Sequence, residues 1–180
     1  MFIFLLIVRG KQMIEQTLID LKRRLNENNE MLIEESDGST CLRSFVFAPP
    51  ASEQELIDFT VRTRNILPED YQQFLLLHNG AQLFKGQYEN IVDLSKIEDI
   101  PNDQRNFNKA FGSYLTGDRK DSYPIGHFID IGSIMISNTR CREGKRDYLW
   151  IASIEHIEFP YDFQTWLHKL IAADGHSFWT

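Results

Sequence analysis

The chain has 180 residues, of which 42% are hydrophobic, 12% aromatic and 25% charged, a composition typical of an ordinary globular domain. Its 13 Phe, 6 Tyr and 3 Trp need burial to offset the entropy lost on ordering, which excludes a chain disordered over its whole length. A formal net charge of −7 repels phosphate backbones, so we expect no direct nucleic-acid partner.

The acidic excess lies in one stretch, residues 26–70, which we call the acidic segment. It holds ten acidic and three basic side chains, whereas the rest of the chain carries sixteen of each sign. Such a cluster predicts an acidic face, the alternative being a face that is merely solvated.

Cysteine usage indicates the compartment. The chain has two cysteines, Cys41 and Cys141, and no Asn-x-Ser/Thr acceptor site for glycosylation. Both features are typical of a protein of the reducing cytoplasm, which is the location that we expect.

An apolar run opens the chain at residues 2–8. It is too short to span a membrane, and it lacks the charged start and the cleavage site of a signal peptide. A good amphipathic helix begins at Met13, and the codons for residues 9–11 can resemble a bacterial ribosome-binding site. Our hypothesis is that residues 1–12 are an extension from an upstream start site or a disordered tail, and that residues 13–180 form a single domain.

Four helices are predicted from spacing and capping signals. The first begins at Met13, with apolar residues at helical spacing. The second opens with a capping box at Ser52, the third has Pro68 at its first position and is ended by Asn79 and Gly80, and the last has Asp162 as its N-cap.

After Gly80 the sequence is typical of β-structure. Short runs rich in branched and aromatic residues, bounded by turn residues, predict strands at 88–94, 123–126, 128–131, 133–137, 148–151 and 154–159. Residues 101–121 are polar with weak periodicity and predict a mobile loop, and 140–146 predict a charged turn of hairpin size. The order of elements predicts an α+β fold: a mostly antiparallel sheet of about five to six strands, packed by N-terminal helices and one C-terminal helix.

Catalytic and metal-binding patterns are missing from the sequence. The five histidines have no Cys-x-x-Cys or His-Glu-x-x-His context, and the glycines form no phosphate-binding loop. Cys141 stands between Arg140 and Arg142, which would favour a thiolate, but an exposed spare thiol explains it as well. We therefore expect no metal, no cofactor and no enzymatic activity, with a hydrolase that uses Cys141 as a remaining alternative.

Three motifs together resemble the SUKH superfamily. They are the capping-box stretch at 49–56, the Leu-Pro-Glu-Asp-Tyr helix start at 67–71 with its continuation to residue 75, and His-Asn-Gly at 78–80. Pro-Ile-Gly at 124–126, Gly132 and the final stretch 163–167 resemble later parts of the same family. The motif residues matched in this way are Pro68, Tyr71, Phe74, Asn79, Gly80, Ile125 and Gly126.

The resemblance implies a non-catalytic α+β domain that acts by protein contacts. Bacterial members are similar to immunity proteins that neutralise polymorphic toxins, often nucleases, whereas fungal members regulate cell-wall synthesis and signalling. A basic nuclease domain would suit the acidic segment, because opposite charge speeds association. The candidate partner-binding residues are Glu34, Glu35 and Asp37, with Glu53 and Asp58 at the rim. A signalling adaptor without a toxin partner is the alternative within the family, and the sequence leaves the oligomeric state open.

Overall fold

The strands form one antiparallel sheet in which each strand pairs with the next strand along the chain. The structure, a computed structural model, describes residues 2–35, 37–86 and 90–179, without the side chains of 2–12 and 90. Predictions that concern residues 1, 36, 88, 89 and 180, or the side chains of 2–8, lie outside the described residues. Within that range the elements are α1 (Phe2–Arg24), β1 (Glu30–Glu34), β2 (Thr40–Phe47), α2 (Glu53–Thr63), α3 (Glu69–Leu77), β3 (Ala81–Lys85), β4 (Asn90–Leu94), α4 (Ile100–Phe111), two 3₁₀ helices (Gly112–Tyr114 and Gly117–Asp121), β5 (Ser122–Phe128), β6 (Gly132–Ser137), α5 (Asn138–Arg142), β7 (Leu149–Ala152), β8 (Ile157–Glu158) and α6 (Phe163–Ala172).

The α+β prediction is confirmed, but the described chain has eight strands where five to six were expected. β1 and β3 are each five residues long, and polar and apolar residues do not alternate strictly in their sequences. Pairing with β2, which lies between them, makes them strands. The strand predicted at 123–126 lies within β5, whereas the strand predicted at 128–131 is wrong, because residues 129–131 form the turn between β5 and β6.

The predicted N-terminal caps of α2 and α6 are confirmed. The Glu55 amide donates to Ser52 Oγ at 3.3 Å, and the Ser52 amide donates to the Glu55 carboxylate at 2.7 Å. Asp162 accepts from the Thr165 amide at 3.1 Å and caps α6. Helix α1 begins at Phe2, well before the predicted start at Met13. That residues 1–12 are an extension from an upstream start site stays a hypothesis.

The loop predicted at 101–121 is wrong. The segment forms α4 and the two 3₁₀ helices, although within α4 only Ile100 and Phe107 are fully buried. Two buried side chains leave little periodicity in the sequence, and the helix owes its stability to packing on β5. The connection at 140–146 likewise begins inside a short helix, α5, which is capped by Ser137.

The sheet has two unlike faces. On the first, which we call the inner face, the main core packs against α1, α2, α3 and α6. On the opposite, outer face, a separate small cluster connects α4 and the residue after the first 3₁₀ helix with β6 and β7. Its members are Phe107, Leu115, Met135 and Trp150. In the part of the chain that the structure describes, no helix has the length and apolar character needed to cross a bilayer.

Candidate protein-binding surfaces

The turn between β1 and β2 carries three of the candidate residues, Glu34, Glu35 and Asp37, which we call the turn acids. Glu34 and Asp37 are exposed. Neither forms an ion pair with any residue that the structure describes. Asp37 accepts from the amide and hydroxyl of Ser39 at 2.9 and 2.6 Å, and these bonds lower the pKa of its carboxyl.

Glu35 is compensated within the molecule. Its carboxylate accepts from Cys41 Sγ at 2.8 Å and from the Arg43 guanidinium at 2.9 Å, and both bonds lower its pKa. Arg43 therefore balances the charge of Glu35, so the uncompensated charge of the turn acids comes from Glu34 and Asp37.

Glu53 and Asp58, which we call the helix acids, lie on α2. Both are exposed, and Asp58 accepts from Gln54 at 2.8 Å. Strand β2 runs from Thr40, next to the turn, to Phe47, close before α2. At a rise of about 3.3 Å per residue, β2 is about 23 Å long, and it lies between the two groups along the chain. The turn acids therefore lie at the β1–β2 connection, and the helix acids lie on a different element, α2.

Other carboxylates of the acidic segment serve the fold. Glu55 completes the capping box of α2. Asp70 accepts from the Tyr148 hydroxyl and, at 2.9 Å, from the Gln164 amide. Burial raises the pKa of the Asp70 carboxyl despite these hydrogen bonds, because water is largely excluded around it.

Three motif residues hold α3 in place. Pro68 precedes the first turn of α3 as its N-cap, one position earlier than expected. The rings of Tyr71 and Phe74 are fully buried and lie 5.0 and 5.3 Å from the ring of Phe163 in α6. Their contacts are those of a helix–helix core.

The corner after α3 accounts for Asn79 and Gly80. Asn79 accepts from the Ile97 amide at 2.8 Å and donates to Glu98 at 2.8 Å. Gly80 has φ +94°, and a Cβ there would lie 2.8 Å from the Leu94 carbonyl oxygen.

The other two motif residues lie in the middle of β5. Ile125 is fully buried, and its carbonyl accepts from the Ser95 amide at 2.9 Å. A Cβ on Gly126 would lie 2.2 Å from the Asp93 carbonyl oxygen, so only glycine lets β4 and β5 approach there. Each of these contacts builds the domain.

The structure offers no support for the thiol alternative. Cys141 is partly buried against the main core, where we expected an exposed thiol. Burial raises the pKa of Cys141 to about 12, which disfavours the nucleophilic thiolate at neutral pH. Among the described residues, no three His, Cys, Asp or Glu side chains are grouped so that they could hold a metal ion.

One surface escaped the sequence analysis: a groove beside α4 on the outer face. It is lined by Phe107, Phe111 and Tyr114 together with residues of β4 to β7. The signal was the spacing of these aromatic residues by four and three within 101–121. It was masked by the polar residues between them, which led to the prediction of a loop.

Comparisons with known proteins agree with this fold and with the motifs. The model of the SMI1 / KNR4 family (SUKH-1) matches residues 50–167, which include the helix acids and every motif residue but not the turn acids. The uncharacterized protein YnaB of Bacillus subtilis (strain 168) is 28% identical over 144 residues, which cover 76% of this chain and 87% of YnaB. The uncharacterized protein YobM of the same organism is 26% identical over 174 residues, which cover 92% of this chain and 90% of YobM. The chain therefore belongs to the SMI1 / KNR4 (SUKH-1) family.

Proposed function

We propose that the chain is a non-catalytic immunity protein of the cytoplasm that binds a toxin and blocks it by occupancy. A nuclease domain with a basic cleft is the class of toxin that best matches the charge of the inhibitor. Family membership supports binding of a protein partner, and the two free cysteines agree with the compartment.

The observation that carries the proposal is the exposed turn between β1 and β2. Glu34 and Asp37 project charge that no residue within the described ranges neutralises by an ion pair. The turn also lies outside residues 50–167. Partner choice is expected to reside in features that differ between members of one fold, so this position suits a partner-specific contact.

In this proposal the turn acids speed association with the toxin by electrostatic attraction. A basic cleft that holds phosphates attracts carboxylates by the same field, and steering of this kind raises association rates by about 10- to 1,000-fold. The helix acids, on α2, would add attraction at the rim of a large interface. The folded body of the inhibitor would then exclude nucleic acid from the cleft.

A regulatory adaptor without a toxin is the second candidate. A role common to the whole family would depend on the part of the chain that the family shares. The family model matches residues 50–167, and this match favours the adaptor. Every motif residue there has a structural task, so the motif itself does not distinguish the two roles.

The test starts from the neighbouring gene. Where it encodes a secreted protein with a basic C-terminal nuclease, the purified nuclease domain is titrated with this chain while nucleic-acid cleavage is measured. We expect cleavage to be lost at one equivalent of inhibitor. Undiminished cleavage at a large excess, or a stable complex with a cellular regulator where no toxin gene is adjacent, would contradict the proposal.

A further inference from the structure

The groove beside α4 has two parts that share Phe107, Phe111, His127 and Ser133 and are therefore continuous. The first part has a volume of about 380 Å³ and the second about 630 Å³. Helix α4 forms one wall, because Asp103, Phe107 and Phe111 follow one another at intervals of four residues along a single helix face.

The floor of the groove is a row of side chains across four strands. Asp93 of β4 lies opposite His127 of β5, His127 opposite Ser133 of β6, and Ser133 opposite Ala152 of β7. Neighbouring strands are about 4.8 Å apart, so the row is about 14 Å long. The stretch of α4 from Asp103 to Phe111 rises about 12 Å, so wall and floor are of similar length.

The two ends of the groove differ in chemistry. At one end lie the carboxylates of Asp93 and Asp103, and Asp103 accepts from the Ser95 hydroxyl at 2.9 Å. At the other end Phe111, Tyr114 and Ile154 are exposed by 55%, 78% and 104%, although all three are large apolar side chains. Large apolar side chains exposed together at a groove mark a binding surface.

We propose that this groove binds an extended segment of a partner protein that carries a Lys or Arg and, four residues further on, a large apolar side chain. The cation faces Asp93 and Asp103, and the apolar side chain packs on Tyr114 and Ile154. Four residues of extended chain span about 13 Å and present both side chains on the same face, so they match the length of the row. A helical segment would need about nine residues to span the same distance. More residues would then become ordered on binding, which costs more conformational entropy.

This surface is separate from the turn acids. The groove lies over β4 to β7, whereas the turn acids lie at the end of the edge strand β1, three strands from β4. The inference therefore does not rest on the toxin proposal, and the two can fail independently.

The test is a titration of the ¹⁵N-labelled full chain, followed by amide chemical shifts, with the peptide Gly-Lys-Ser-Thr-Ser-Phe-Gly. One control peptide has Phe moved one residue closer to Lys, which turns the two side chains to opposite faces, and another has Glu in place of Lys. We expect shifts confined to α4, the 3₁₀ helix Gly112–Tyr114, strands β4 to β7 and the loop around Ile154. We expect Kd below about 1 mM for the first peptide and at least fivefold weaker binding of both controls.

Variants of the chain complete the test. Tyr114→Ser and Asp103→Asn should each weaken binding of the first peptide at least fivefold, whereas Val61→Ser, at an exposed position of α2, should leave it unchanged. Equal binding of all three peptides, or no binding, would overturn the inference. So would shifts centred on the turn acids, or a dimer of the chain that buries the groove and makes a second copy its occupant.

Discussion

The hydroxyl of Tyr148 donates a hydrogen bond to the carboxylate of Asp70, which lies 78 residues earlier in the chain. The same oxygen accepts from the Phe163 amide at 3.1 Å, and Asp70 accepts from the Gln164 amide at 2.9 Å. One phenol and one carboxylate thus connect the residue just before β7 with the start of α3 and the start of α6. The Asp of the Leu-Pro-Glu-Asp-Tyr motif is therefore a structural residue that joins three elements.

Removing the hydroxyl should destabilise the fold. In Tyr148→Phe, the Asp70 carboxylate and the Phe163 amide both lose a partner in a site that excludes water, which costs about 1–3 kcal/mol of unfolding free energy. Urea unfolding at neutral pH measures this loss, with Tyr114→Phe as the exposed control. A Tyr148→Phe protein as stable as the parent would show that these groups find other partners.

A second relationship predicts a dependence on pH. His78 Nε2 lies 3.0 Å from Lys22 Nζ, so it accepts from the ammonium, while Nδ1 donates to the Ala48 carbonyl oxygen at 3.1 Å. Burial first, and the charge of Lys22 as well, lower the pKa of His78. The folded chain therefore binds fewer protons at His78 than the unfolded chain, and this part of the stability is present above the unfolded pKa of about 6.5 and lost as the pH falls below it.

The measurement is the free energy of unfolding between pH 7.5 and pH 5. We expect it to fall with pH in the parent and in His168→Gln, since His168 is exposed on α6. His78→Gln should be less stable at pH 7.5 but show a shallower decline. Parallel curves for the parent and His78→Gln would contradict the assignment.

The sequence predicted elements whose signals are local. The capping box at Ser52 and the N-cap at Asp162 depend on residues three positions apart, and both appear in the structure. Strands β1 and β3 depend instead on pairing with β2, which no local pattern records. For α4, two buried side chains in twelve residues were too few to give a helical period.

The arrangement of the candidate binding residues also depends on contacts that a local sequence pattern does not predict. Glu34 and Glu53 are close in sequence, and their charges suggested one acidic face. Strand β2 is extended, so it carries the chain about 23 Å between the two groups of acids. The pairing of Glu35 with Arg43 could not be predicted either, because it requires the hairpin of β1 and β2.

Thiol reactivity tests whether Cys141 can act as a nucleophile. With its pKa raised to about 12, Cys141 should be alkylated by iodoacetamide at pH 8 at least about 100-fold more slowly than a free thiol. A Cys41→Ser protein isolates this reaction, and mass spectrometry follows it. Labelling as fast as that of free cysteine would restore the nucleophile hypothesis.

In the proposed function the turn acids guide a basic toxin to this chain, and association kinetics tests this role most directly. The decisive comparison is between Glu34→Lys/Asp37→Lys and a control with the same change in net charge, Glu15→Lys/Asp20→Lys on the exposed side of α1. At low salt we expect the first variant to associate about 10- to 100-fold more slowly and with a weaker salt dependence, and the control to lose far less. Equal association rates for the two variants would contradict the assignment of the interface to the turn acids.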